Sequence, residues 1–167
     1  MALIKLFVDI VLFRKGPQDV PASQLLLGLC LLAYLLIGEL MLLMDETLLR
    51  ATLQVLLDVA MLGGFVVITL KFAGYSERVL QTLSALLAVD VLISILAFPV
   101  MISVSSGAER GGGYLLVMLM VWHLAVMAHI FRQALSRSWW TGYAVAMLYT
   151  LLSFQILQLL FGNASSA

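Results

Sequence analysis

The chain has 167 residues, of which 63% are hydrophobic and only 11% are charged, and its mean hydropathy is +1.12. This composition excludes a soluble domain, which needs a charged surface. The formal net charge is zero and no polybasic run occurs, so nucleic-acid binding has no electrostatic basis. The apolar runs are near-continuous and roughly 20 residues long, which predicts membrane-spanning helices rather than the alternating strands of a barrel.

Residues 1–15 predict a short amphipathic helix. It ends at a basic pair after about 20 Å of helix, too short to cross a hydrocarbon core of about 30 Å. Lys5 and Asp9 lie four residues apart on one side, and apolar residues cover the other. This pattern is typical of a helix that lies in the membrane interface or against a helix bundle. Residues 16–22 form a link that is broken by two prolines.

The rest of the chain predicts one transmembrane domain at residues 23–161, followed by a tail at 162–167. Its five predicted spans cover about residues 23–44, 48–70, 79–103, 114–131 and 141–161. The predicted fold is therefore all-α, a polytopic bundle of five transmembrane helices with an N-terminal interfacial amphipathic helix. Short connections favour antiparallel packing of chain neighbours. The glycine-rich stretch 105–113 predicts an exposed loop.

The basic residues predict the orientation of the bundle. Five spans place the termini on opposite sides of the membrane. With the N-terminus inside, seven basic residues are cytoplasmic and two are outside, which are respectively Lys5, Arg14, Lys15, Lys71, Arg78, Arg132 and Arg137, and Arg50 and Arg110. We therefore expect a bacterial inner-membrane protein with a cytoplasmic N-terminus and a periplasmic C-terminus.

A belt of interfacial anchors is predicted between the fourth and fifth spans. Arg132 and Arg137 stand close in sequence to Trp139 and Trp140. Arginine and tryptophan side chains combine an apolar body with a polar end, which suits them to the level of the lipid headgroups. This segment is expected to lie at the cytoplasmic face.

Two carboxylates lie within the apolar runs, Asp58 in the second span and Asp90 in the third. A lone charge at the centre of a membrane costs about 2.5–3.5 kcal/mol on insertion scales, so each acid should face protein, water or a partner. Counting about 1.5 Å per residue places both acids and His123 near the midplane. Ser94 shares a helix face with Asp90. We expect these four residues to form one buried polar layer.

Three roles for this layer stay open at the level of sequence. The acids and His123 could pass protons or cations between them, fix the register of the helices, or recognise a partner helix. Three further residues, Glu39, Gln54 and Gln155, fall in a second polar layer nearer to the outside. Ala60 and Gly64 provide a small-residue surface on which another helix can approach closely.

Catalytic chemistry has little support in the sequence. No GxSxG, HExxH or CxxC motif occurs, and Cys30 is the only cysteine. His123 and His129 are about 240° apart around a helix, so they do not share a face as two metal ligands would. We expect no enzyme activity, no catalytic residue, no metal and no cofactor.

The opening FVDIVLFRKGPQDVPAS, a short helix and a doubly broken link, precedes five closely spaced spans. This layout resembles the Yip1-like small multi-pass membrane proteins. The long polar N-terminal region of the eukaryotic members is missing, so their role in vesicle traffic and GTPase binding is not implied for this chain.

Two functions are predicted from these features. The first is a non-enzymatic inner-membrane scaffold or accessory subunit. The alternative is a component of a proton- or cation-coupled transporter or channel that uses the Asp/His layer. The expected partners are the lipid bilayer and either another membrane protein or a second copy of the chain, and no nucleic acid.

Overall fold

The computed structural model describes residues 2–105 and 111–162. Within these residues the chain folds into six α-helices: α1 (Ala2–Val11), α2 (Gln24–Leu42), α3 (Leu48–Ala73), α4 (Val79–Ser105), α5 (Gly112–Ala134) and α6 (Trp139–Phe161). The last five are each long and apolar enough to cross a membrane. The predicted all-α fold with five spans is confirmed. Most of the predicted glycine-rich loop and of the tail lies outside the described residues.

Local sequence signals explain where the helices begin and end. The Ser23 hydroxyl accepts a hydrogen bond from the Leu26 amide at the start of α2, and Ser138 does the same for Thr141 at the start of α6. Helix α3 is followed by Gly74, whose φ of 81° lies in the left-handed region that glycine adopts without steric cost. These three signals lie at one end of the bundle. Following the predicted orientation, we call it the inner end, and we call the opposite end the outer end.

Helix α4 lies at the centre of the bundle, where it packs closely on α2 and α5 and also contacts α1 and α3. Its side chains from Ser84 to Val89 are all buried. Small residues among them, such as Ala85 and Ala88, permit close approach of neighbouring helices. Helix α2 packs more extensively on α4 than on α3, although α3 follows it directly in the chain. The expected antiparallel packing of chain neighbours therefore describes α5 and α6 better than α2 and α3.

Helices α5 and α6 make the most extensive contact in the bundle. The contact passes through Gly142, which is fully packed against α5. A Cβ atom added to Gly142 would lie 2.3 Å from the carbonyl oxygen of Ala128 and 2.8 Å from the amide nitrogen of Arg132. Only a glycine fits between the two backbones here.

The inner half of the bundle is packed much more tightly than the outer half. Most buried side chains of the spans lie toward the inner end, among them Leu62, Val66 and Leu70 of α3 and the run from Val126 to Phe131 of α5. In the outer halves of α2 and α6 most side chains are half-buried or exposed. The bundle is therefore closed at the inner end and more open at the outer end.

Helix α1 packs against the bundle, one of the two positions expected for it. Its residues Leu6, Phe7 and Ile10 are buried, while Lys5 is exposed. It lines apolar grooves together with α4 residues between Ala88 and Leu96. These lie roughly 14–26 Å along α4 from its inner end at about 1.5 Å per residue. Helix α1 thus lies beside the middle of α4 rather than at the end of the bundle.

An aromatic cluster secures the chain after α1 to the inner half of the bundle. The ring of Phe13 lies 5.3 Å from that of His129, 6.0 Å from that of Trp122 and 6.3 Å from that of Trp139. His129 is buried and its Nε2 donates to the carbonyl oxygen of Lys15 at 2.9 Å. His129 therefore has a structural partner, on a different part of α5 from His123.

The predicted anchors lie around the inner start of α6. The guanidinium of Arg132 stacks over the ring of Trp139 at 5.6 Å from its centroid. Trp140 is 79% exposed and Arg137 is also exposed. These positions are compatible with contacts to lipid headgroups, which stay a prediction.

Ala60 and Gly64 are exposed on α3, and a Cβ added to Gly64 would meet no atom within 4 Å. The close helix contact expected at this surface is therefore not made by any described residue of the same chain.

Candidate functional site

Asp58 is held by two phenols from neighbouring helices. It lies half-buried on α3 and accepts hydrogen bonds from the hydroxyl of Tyr34 on α2 and from the hydroxyl of Tyr149 on α6, the latter at 3.3 Å. A carboxylate in an apolar bundle needs such donors, because its desolvation is otherwise uncompensated. Three helices thus meet at one acid.

Asp90 is paired with a base. The Nε2 of His123 on α5 donates to Oδ1 of Asp90 on α4. The Asp90 side chain is 13% exposed and that of His123 is 33% exposed. When the imidazole is protonated the pair is neutral overall, which removes most of the cost of burying a charge.

The two acids line a single cavity of about 240 Å³, which we call the Asp cavity. Ser94, which was expected beside Asp90, lines it as well. Its polar lining comes from all five spans and consists of Tyr34, Asp58, Asp90, Ser94, His123, Tyr149, Thr150 and Ser153. All four residues expected in the buried polar layer therefore surround one space. Their role as a proton relay or as a register site is not decided by this placement.

The hydroxyls in the Asp cavity are not all available to the acids. Thr150 donates to the carbonyl oxygen of Ala146 at 2.9 Å, and Ser153 donates to that of Thr150 at 3.2 Å. These bonds stay within α6 and satisfy the hydroxyls locally. The direct partners of the acids are thus the two tyrosines and His123.

A second cavity, which we call the outer cavity, leads from Asp58 toward the outer end. It has a volume of about 370 Å³ and shares Tyr34 and Asp58 with the Asp cavity. Its other lining residues lie near the outer ends of the helices or in the α2–α3 turn, and they are Gly38, Met41, Leu42, Asp45, Gln54, Val55, Met101 and Leu157. Asp58 is therefore approached from the outer end and lies between two spaces.

The expected outer polar layer does not form as one group. Glu39 accepts a hydrogen bond from the Thr52 hydroxyl at 2.8 Å, and Gln54 lines the outer cavity. Gln155 is exposed on α6 and does not line that cavity. Its position explains the difference, since it lies about 240° around the helix from Tyr149, which faces Asp58.

Sequence reasoning missed the two tyrosines that hold Asp58. Each is the eleventh residue of its helix, Tyr34 in the 19-residue α2 and Tyr149 in the 23-residue α6. Tyrosine prefers the membrane–water interface, where its hydroxyl meets water. Two phenols near the midplane were therefore a usable signal, because each needs a buried acceptor.

No three His, Cys, Asp or Glu side chains in residues 2–105 and 111–162 are grouped so as to hold a metal ion. Comparisons of the chain with protein-family models, with curated proteins and with solved structures found no match. The five apolar helices define the chain as a multi-pass membrane protein.

Proposed function

We propose that this membrane protein binds a proton or a small monovalent cation at Asp58, beside the Asp90–His123 pair, as the binding step of cation-coupled transport. The observation that carries the proposal is the Asp cavity, in which two acids and one histidine from three spans surround a space that continues toward the outer end. Ionisable groups inside a membrane are costly and commonly mark ion or proton pathways.

The groups that face Asp58 support a protonation role. Tyr34, Tyr149, Asp90 and His123 surround it from α2, α6, α4 and α5. The phenols favour the charged acid by donating hydrogen bonds, whereas Asp90 opposes a second negative charge nearby. Titratable groups that line one cavity are coupled, so a proton taken up by one of them changes the proton affinity of the others. Such a site suits reversible uptake of one positive charge.

The tight inner half implies that transport needs a second conformation. In the described arrangement Leu62, Val66 and Ile130 are fully packed below the site. An ion bound at Asp58 can therefore exchange with the outer side and is closed off from the inner side. Release to the inner side requires a second conformation in which the inner half opens and the outer half closes. Such alternating access is the ordinary requirement for coupled transport.

The test is ion flux in proteoliposomes that contain the full chain. We expect a pH-dependent proton or cation flux in the wild-type protein that is lost in Asp58→Asn. Glu77→Gln, the same change of chemistry at an exposed turn of the inner end, should keep the flux. Infrared difference spectroscopy on wild type and Asp58→Asn would show the carboxyl band of Asp58 appear as the pH falls. Absence of both flux and titration would overturn the proposal.

A scaffold or accessory subunit is the second candidate, and the exposed small-residue surface of Ala60 and Gly64 favours it. A partner helix on this surface predicts a stoichiometric membrane protein in purifications from mild detergent. Gly64→Leu should release that partner, while Gly28→Leu, the same change at an exposed glycine of α2, should retain it. Purification of the wild-type chain alone or only with itself would contradict this function. The Yip1-like resemblance stays a prediction and does not distinguish between the two functions.

A further inference from the structure

The outer cavity has the dimensions of a small-molecule site. Its volume of about 370 Å³ lies within the usual range of roughly 300–1,000 Å³ for ligand pockets. Asp45 stands exposed in the turn at its rim, and Asp58 with Tyr34 forms its floor. The cavity is thus larger than a bare proton needs.

The charges around the two cavities call for a positive ligand. Among the described residues that line them, Asp45, Asp58 and Asp90 are acidic and His123 is the only base. His123 is engaged by Asp90. The donors to Asp58 are phenols, which stabilise its negative charge without neutralising it. A cation bound at Asp58 would neutralise its negative charge.

The apolar walls of the outer cavity favour a cation that carries a hydrocarbon group. Five of its ten lining residues have large apolar side chains, namely Met41, Leu42, Val55, Met101 and Leu157. A hydrated metal ion would have to exchange its waters for oxygen ligands, which these five apolar side chains do not supply. Methionine and leucine side chains instead pack against hydrocarbon, and methionine adapts to its shape.

We infer that the outer cavity binds a monovalent organic cation, an alkyl- or arylammonium. The ammonium group lies against Asp58, its apolar part lies against the methionine and leucine wall, and it enters from the outer end. This inference rests on the proposed function, since it names the class of cation that competes with a proton at Asp58.

The test is calorimetric titration of the full chain in detergent micelles with 2-phenylethylammonium, and with the neutral 2-phenylethanol as matched probe. We expect the ammonium to bind saturably and the alcohol to show only partition into micelles. Asp58→Asn should weaken ammonium binding about tenfold or more, because the charge partner is removed. Leu42→Trp, which fills the cavity and leaves every acid in place, should also weaken it.

Glu77→Gln controls for folding and for nonspecific attraction to acids, and it should bind like the wild type. Equal ammonium binding by wild type and Asp58→Asn, or saturable binding of the alcohol as tight as that of the amine, would overturn the inference. If the amine fails to bind while the infrared titration of Asp58 and the flux persist, the proposed function stands and this inference alone fails. If the titration and the flux are absent as well, both fail.

Discussion

Asp58 and Asp90 are both carboxyl groups inside an apolar bundle, and different partners compensate the cost of burying them. Asp58 accepts hydrogen bonds from neutral donors, Tyr34 and Tyr149, whereas Asp90 is matched with a base. A carboxylate with neutral donors can still attract a cation, while a carboxylate paired with imidazolium is already compensated. In our proposal Asp58 is therefore the acid that binds the cation. The Asp90–His123 pair lies beside it and can exchange a proton with it.

Removal of one tyrosine hydroxyl that donates to Asp58 should lower the stability of the fold. We expect Tyr149→Phe to lower the free energy of unfolding by about 1 kcal/mol, the usual size of a hydrogen bond within membrane or protein interiors. Tyr143→Phe, at an exposed position of the same helix, should change it by much less. Chemical unfolding in mixed micelles, followed by circular dichroism, measures the difference. Equal effects of both changes would show that the bond to Asp58 contributes nothing.

The Asp90–His123 pair should behave as one unit. His123→Leu leaves Asp90 without its partner and should destabilise the protein by about 1–3 kcal/mol, the cost of an unsatisfied buried polar group. The double change Asp90→Leu and His123→Leu should cost less than the sum of the single changes, because no charge is left unpaired. The same unfolding measurement on all four proteins completes the cycle. Additive effects would contradict a direct interaction.

At the scale of elements, the packing is set by where backbones can meet. Gly142 allows α6 to touch the backbone of α5, and the small residues of α4 allow α2 to lie beside it. Helix α3 is held more by the polar contacts of Asp58 and by Arg50, whose guanidinium donates to the carbonyl oxygen of Phe161 at 2.6 Å. The pairs α2–α4, α4–α5 and α5–α6 thus pack closely, while α3 makes less backbone contact with each of its neighbours.

Gly142→Val should weaken the contact between α5 and α6. Its Cβ would meet two backbone atoms that cannot move independently of α5, so we expect a loss of about 3 kcal/mol, at the upper end for overpacking. Gly28→Ala in α2 is the matched control, because a Cβ there meets nothing within 4 Å. It should be neutral or stabilise by up to about 1 kcal/mol. Thermal unfolding in detergent tests both, and a tolerated valine would contradict the described contact.

For the molecule as a whole, the sequence predicted the spans well and the lateral arrangement poorly. Long apolar runs define membrane helices because the bilayer has one thickness, and the cost of buried charge pointed to Asp58, Asp90 and His123. Loop length says which helices are able to be neighbours, but close packing of α2 on α4 depends on side-chain fit. Gln155 shows the same limit, because depth alone does not give the direction in which a side chain faces.

The predicted orientation can be tested on α3. Single cysteines are introduced at Asp45 and at Ser76, in the turns at its two ends, in a Cys30→Ala background. In intact bacterial cells a membrane-impermeant maleimide should label position 45 and not position 76, since most basic residues lie at the end that holds Ser76. Both should react after permeabilisation. Labelling of position 76 alone reverses the orientation, and equal labelling in intact cells contradicts a span between them.

The closed inner half and open outer half give the site an electrical consequence. Asp58 lies ten residues from the outer end of α3, about 15 Å, or about half of the hydrocarbon thickness. A cation that reaches it from outside therefore crosses up to about half of the membrane voltage, which is up to about 1.2 kcal/mol per 100 mV. An inside-negative potential should tighten cation binding by up to about sevenfold per 100 mV, measurable in polarised proteoliposomes. The occupancy of the site at a fixed cation concentration would then depend on the membrane potential.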